Sequence, residues 1–177
     1  ASTLINQLLN FSRKKMAEKE IININDLIKE SLDFLAMNLK VINLDIQLYQ
    51  SQILLQADKT KISQILINLI GNARDALEST ERPIIRLRTD LVEISNQGNL
   101  LDGKYALIKI SDNGPGISPE NQKKIFEPFF TTKGKGRGTG LGLAIVREII
   151  HDYNGSIELD SQVGRGATFS ILLPVFE

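Results

Sequence analysis

The sequence contains no cysteine at all among its 177 residues. A disulfide framework, a thiolate nucleophile and any zinc site built with Cys are therefore excluded, and a reducing, cytoplasmic setting is expected. An excess of one charge is also missing, since Lys plus Arg and Asp plus Glu both number 21. With no net field to steer it onto phosphates, no nucleic acid partner is expected, and any anion binding must be local. No apolar run approaches the roughly 20 residues that cross a bilayer, and no signal sequence opens the chain. A parent protein could still be membrane-anchored elsewhere, because Ala1-Ser2-Thr3 lacks an initiating Met and reads as a piece cut from something longer. The length suffices for one domain that buries roughly 70% of its unfolded surface, plus an appended element.

Patterning is what the chain does have. Residues 2–19 set Leu4, Leu8 and Phe11 on one stripe, with Ile5, Leu9 and Met16 beside it, which predicts an amphipathic helix. It falls short of the roughly three or four heptads of a self-sufficient coiled coil. Either it docks on its own domain or it is half of a dimerisation stalk. Ile21 to Ile24 predicts a strand, and Asn25 a cap for a helix through Leu27, Ile28, Leu32 and Leu35. Val41 to Tyr49 and Ile53 to Gln56 alternate as strands, and Asp58 opens a long helix reaching Glu78. Ile84 to Glu93 and Tyr105 to Ser111 predict a hairpin through Ser95-Asn96-Gln97-Gly98-Asn99. Residues 112–140, dense in Gly and Pro, are too long for a mere connector and predict a functional loop. A helix from Leu141 to Tyr153 and strands at Ser156 to Asp160 and Ala167 to Val175 close the chain.

Three places carry chemistry. On the helix after Asp58, the residues Gln64, Asn68, Asn72, Asp75 and Ser79 fall within an arc of about 80°. Ile62, Ile65, Leu66, Leu69, Ala73, Ala76 and Leu77 take the other side. Such a polar stripe is ordinarily a solvated face, but two Asn one turn apart are poor choices for an exposed helix. An amide oxygen is, however, a good hard ligand for Mg²⁺. Asp112-Asn113-Gly114-Pro115-Gly116-Ile117 leaves a strand directly, so its glycines let backbone approach a flat ligand while Asp112 accepts from an exocyclic amine; an ordinary Asx turn is the alternative. Gly134 to Leu143 runs into a helix and presents free N–H groups where phosphates can sit. It has neither Walker A spacing nor G-x-G-x-x-G. Lys123, Lys124, Lys133, Lys135 and Arg137 add local positive charge, with Lys133 the chosen phosphate ligand. His151, the sole histidine, sits at a helix end, where a structural role is expected.

In this order the blocks resemble the ATP-binding catalytic domain of sensor histidine kinases, of the superfamily shared with DNA gyrase, the heat-shock chaperone ATPase and mismatch-repair ATPases. Asn68-Leu-Ile-Gly-Asn72-Ala-Arg-Asp75 is similar to the N box, Asp112 to Gly116 to the first glycine box, Phe126-Glu-Pro-Phe-Phe130 to the F box, and Gly138 to Leu143 to the second glycine box. Gly164 to Phe169 is similar to the final glycine block, with Ala167 where the family often has Thr. The resemblance covers residues 20–177, and Leu4 to Arg13 is similar to the second helix of the dimerisation and phosphoacceptor hairpin. It thus divides the chain into 1–19, the end of that hairpin, and 20–177, the catalytic domain. The implied fold is α+β, a two-layer α/β sandwich of Bergerat type with a mixed sheet covered on one face by helices, plus an N-terminal helix.

The implied activity is transfer of the γ-phosphoryl of Mg-ATP to a histidine, with ATP and Mg²⁺ as cofactors. Asn68, Asn72 and Lys133 would be catalytic, Asn72 holding the metal. Asp112 would take the adenine amine. Asp75, Gly114, Gly116, Ile117, Phe126, Thr131, Thr132, Arg137, Gly138, Thr139, Gly140, Leu141, Gly142, Leu143 and Thr168 would complete the nucleotide site, and residues 118–139 the lid. Hydrolytic relatives carry Glu where Asn68 stands. Asn cannot accept a proton, whereas a neutral imidazole needs no base, so Asn68 favours a histidine acceptor over water. Asp75 departs from the basic or aromatic residue common in these kinases. The implied partners are an acceptor histidine hairpin in cis or trans, a response regulator receiver domain, and a second copy through the parent protein. An ATP-gated interaction module, a serine-directed kinase and a hydrolysing ATPase are the alternatives.

Overall fold

The computed structural model describes residues 19–95, 100–134 and 138–177. The helix expected over 2–19 with its hairpin assignment, the turn residues 96–99, and Lys135 and Arg137 of the glycine loop lie outside the described residues, Lys19 excepted.

The described chain runs β1 (Glu20–Asn23), α1 (Ile24–Leu35), a 3₁₀ turn (Ala36–Asn38), β2 (Asn43–Gln47), β3 (Leu54–Ala57) and α2 (Lys59–Ala76). Then come β4 (Ile84–Ile94), β5 (Gly103–Asp112), α3 (Pro119–Gln122), α4 (Gly142–Asp152), β6 (Ser156–Ser161) and β7 (Ala167–Pro174). The main sheet has the order β2-β4-β5-β7-β6, with β2 parallel to β4 and the other pairs antiparallel. The mixed sheet anticipated from the resemblance is therefore present. β1 and β3 form a separate antiparallel pair, with Ile22 opposite Leu55.

Strand alternation decides which sheet face is covered. Ile85, Leu87, Ile108, Ile110, Phe169, Ile171 and Leu173 are buried, while the intervening Arg88 and Lys109 are exposed. The second layer presents Leu27, Ile28 and Leu32 of α1, Ile62, Leu66, Leu69 and Ile70 of α2, and Val146 and Ile150 of α4 to the same core. Helices on one face of a sheet make two layers with one core between them.

Helix starts follow local side-chain chemistry. Asp58 caps α2 by accepting from Thr60 N–H at 2.8 Å and Lys61 N–H at 3.4 Å. Its own N–H donates to the Tyr153 hydroxyl at 2.9 Å, tying the cap to the end of α4. Asn25, expected to cap α1, lies instead in the first turn. β1 ends a residue earlier than anticipated, so Asn23 is the cap and accepts from Asn25 N–H at 3.3 Å. The buried Asn25 amide donates to the Tyr49 carbonyl at 2.9 Å and accepts from Thr89 Oγ1 at 2.7 Å. It pins α1 to the β2–β3 turn and to β4. Within the loop expected to be irregular, α3 makes one turn. Ser118 accepts from Asn121 N–H at 3.4 Å, and Pro119 stands at the first helical position, where its missing N–H costs nothing.

Candidate functional site

The polar stripe of α2 is not a solvated face: Gln64, Asn68, Asn72 and Asp75 are all partly buried, and only Ser79, beyond the helix end, is exposed. Asn68 Nδ2 makes a long 3.4 Å contact to the Gly142 carbonyl at the start of α4. Asp75 uses both carboxylate oxygens. Oδ1 accepts from Arg74, at 2.8 Å from Nε and 2.5 Å from a terminal guanidinium nitrogen, and Oδ2 accepts from Lys133 Nζ at 2.5 Å. Asn72, one turn before Asp75, has no side-chain hydrogen bond to any described residue. The stripe thus meets the glycine loop at two points, and between them lies an amide with no side-chain partner among the described residues.

Asp112 sits at the end of β5, 8% exposed, where it accepts from Gly114 N–H at 2.8 Å in an Asx turn. Burial pushes its carboxyl above the ordinary range, with the Gly114 and Ala167 amides pulling it back part of the way. At Asp75 burial also works upward, but hydrogen bonds from Lys133 and Arg74, together with their charges, outweigh it and hold the carboxyl below its ordinary range. A carboxylate has about four lone-pair sites, so two amides leave Asp112 able to accept from a ligand.

The first glycine turn is locked against the turn that precedes β7. Gly116 (φ +73°) and Gly166 (φ +82°) are left-handed, and a Cβ on Gly166 would lie 2.0 Å from the Asp112 carbonyl oxygen. Thr168 Oγ1 donates to Ser111 Oγ at 2.9 Å on the strand that carries Asp112. Ile117 N–H donates to Ser161 Oγ at 2.9 Å, and Gln122 Nε2 bridges the Ile117 and Ser161 carbonyls at 2.7 and 2.9 Å. Sequence reasoning passed over Gln122 and Ser161. Nothing but their proximity across the fold marks them.

Phe129 N–H donates to the Gly140 carbonyl at 2.9 Å, closing a stem that joins these two ends of the glycine-rich segment. Thr131 Oγ1 accepts from Lys133 N–H at 3.1 Å, and Thr139 Oγ1 from Leu141 N–H at 3.4 Å, while Thr132 is exposed. Gly138 lies close to Thr131 and to the Lys133 stem. α4 begins at Gly142 with no side-chain cap on its first N–H groups, and Leu143 packs on the core. Phe126 is packed as well, edge-on to Phe169 with 6.4 Å between ring centroids and 5.6 Å from the Arg147 guanidinium.

Arg74 is the partner that sequence reasoning missed. Adjacent residues on a helix do not face each other, so spacing carried no hint that the guanidinium would fold back onto Asp75. A separate hollow, lined by Gln47, Tyr49, Arg88, Thr89 and Lys109, contains none of the expected site residues. Among the described residues no cluster of three His, Cys, Asp or Glu could hold a metal, and no helix is long and apolar enough to cross a membrane.

Residues 57–177 match the family described as histidine kinase-, DNA gyrase B-, and HSP90-like ATPase. The sensor kinase CckA of Brucella abortus (strain 2308) is 37% identical over 179 residues, which cover 98% of this chain and 19% of the relative. The chain thus spans about a fifth of that protein's length. A structure of full-length ShkA in complex with AMPPNP superposes with a TM-score of 0.75 at 26% identity, covering 98% of this chain and 35% of that one. A structure of histidine kinase ThkA in complex with the response regulator protein TrrA gives a TM-score of 0.76 at 27% identity, covering 99% of this chain and 47% of that one.

Proposed function

Because the chain belongs to the histidine kinase-, DNA gyrase B- and HSP90-like ATPase family, we propose that it is the catalytic domain of a two-component sensor histidine kinase. It binds Mg-ATP and transfers the γ-phosphoryl group to a histidine on a dimerisation hairpin. The observation that carries this reading is the meeting of the α2 stripe with the glycine loop. Asn68 reaches Gly142, Asp75 reaches Lys133, and Asn72, whose amide has no partner among the described residues, lies between them in sequence.

The residues present suit a magnesium nucleotide. The Asn72 amide, without a partner among the described residues, offers a hard oxygen, and the uncapped first N–H groups of α4 with Lys133 offer donors to phosphate oxygens. Asp112, fixed by two amides, accepts from an adenine amine. Magnesium supplies neutralisation of the triphosphate charge. Phosphoryl transfer needs positioning and charge stabilisation more than covalent help. Asn68 holds no proton-accepting group, so this chain has no base there to activate water, and an imidazole acceptor requires none. ShkA in complex with AMPPNP and ThkA in complex with a response regulator support the nucleotide and the receiver-domain partner.

Mixing the chain with a separate acceptor hairpin and γ-labelled ATP should give acid-labile, base-stable phosphate on the hairpin. Label retained after acid treatment, or release of inorganic phosphate alone, would reject histidine transfer.

A further inference from the structure

Lys133, the cation assigned to phosphate, already has an anion. Its Nζ lies 2.5 Å from Asp75 Oδ2, with both side chains about one-third exposed. The carboxylate does not depend on this lysine alone, because its other oxygen is held by the Arg74 guanidinium. Lys133 can therefore leave without stranding a partly buried carboxylate. Arg74 cannot readily follow, being the adjacent residue on the same helix.

We propose that Asp75 is a positioning residue which occupies the phosphate-binding lysine until nucleotide phosphate displaces it, with Arg74 as the standing counter-ion that makes the exchange inexpensive. The inference rests on the nucleotide reading given above. Asp75 sets how tightly phosphates are bound and leaves recognition of the base untouched. It likewise anchors the segment around Lys133 to α2 when no nucleotide is present, since this ion pair joins residues 58 apart in the chain.

Calorimetric titration with Mg-AMPPNP and with adenosine tests the exchange. Asp75→Asn should tighten Mg-AMPPNP about two- to fivefold, the range of a partly exposed ion pair, and leave adenosine unchanged. Arg74→Gln should act in the opposite direction, because Asp75 then grips Lys133 alone. In a Lys133→Ala background Asp75→Asn should have no effect on Mg-AMPPNP. Equal tightening in that background would mean that Asp75 acts by its field alone and would overturn the proposal, as would weaker binding by Asp75→Asn itself. A second arm uses no ligand: hydrogen exchange at residues 131–134 should quicken in Asp75→Asn, and unchanged exchange would refute the anchoring. A chain that binds no nucleotide in any form rejects the nucleotide reading, and the exchange measurement then decides the anchoring by itself.

Discussion

Replacing Gly140 by Ala should disable the glycine loop while leaving the domain folded. Gly140 has φ +68°, and a Cβ there would lie 2.3 Å from the Phe129 carbonyl carbon and 2.6 Å from its oxygen. Holding an L-residue in that left-handed conformation costs about 1–2 kcal/mol. Relieving the overlap separates Gly140 from Phe129 and breaks the 2.9 Å bond that closes the loop stem, a further loss of about 1 kcal/mol. The sum, about 2–3 kcal/mol, lowers the population of the closed stem by about 30- to 160-fold. Phe129 is 71% exposed, so the penalty falls on the loop and not on the core. Gly134→Ala is the internal control, since its Cβ meets nothing within 4 Å and its φ is not left-handed. Hydrogen exchange of the Phe129 amide, with Mg-AMPPNP titration and a thermal melt, reads all three levels. Equal protection and equal affinity in Gly140→Ala and Gly134→Ala would refute the reasoning.

Asn72→Ala should remove magnesium-dependent nucleotide binding yet shift unfolding in urea by less than about 0.5 kcal/mol, because no described protein group loses a partner. Asp58→Ala should cost about 1 kcal/mol in the same urea titration, since it uncaps two amides of α2. The two perturbed carboxylates should show opposite pH signatures. Asp75, held below its ordinary 3.8, adds stability that is present above that value and lost as pH falls through its lower folded pKa. Asp112, raised above 3.8, contributes most when protonated, and that contribution disappears as pH rises through its folded pKa. Stability of wild type relative to Asp75→Asn should therefore increase with pH across the acid range, and relative to Asp112→Asn it should decrease. Parallel trends in acid melts would contradict the burial and pairing described.

Much of the fold was legible because it is written in local periodicity. Alternation in β4, β5 and β7 marks buried Leu87, Ile108 and Ile171 against exposed Arg88 and Lys109. Asp58 at the head of an apolar 3.6-residue repeat announced α2. Other features answer to partners far along the chain. Asn25 looked like a cap, but its amide is claimed by Thr89, 64 residues away. The pairing of β1 with β3 outside the main sheet depends on docking that no local pattern encodes.

The same division runs through the site. The order of residue types by itself established the family, the asparagine stripe and the glycine loop, because spacing on a helix and the density of glycine are properties of neighbours. Only the tertiary structure decided that Phe126 packs on Phe169, that Asn72 has no hydrogen-bond partner among the described residues, and that Asp75 holds Lys133 and Arg74 at once. Those outcomes depend on which side chains compete for one another after the layers close. That competition is settled by distances of a few ångströms between residues that the chain keeps tens of positions apart.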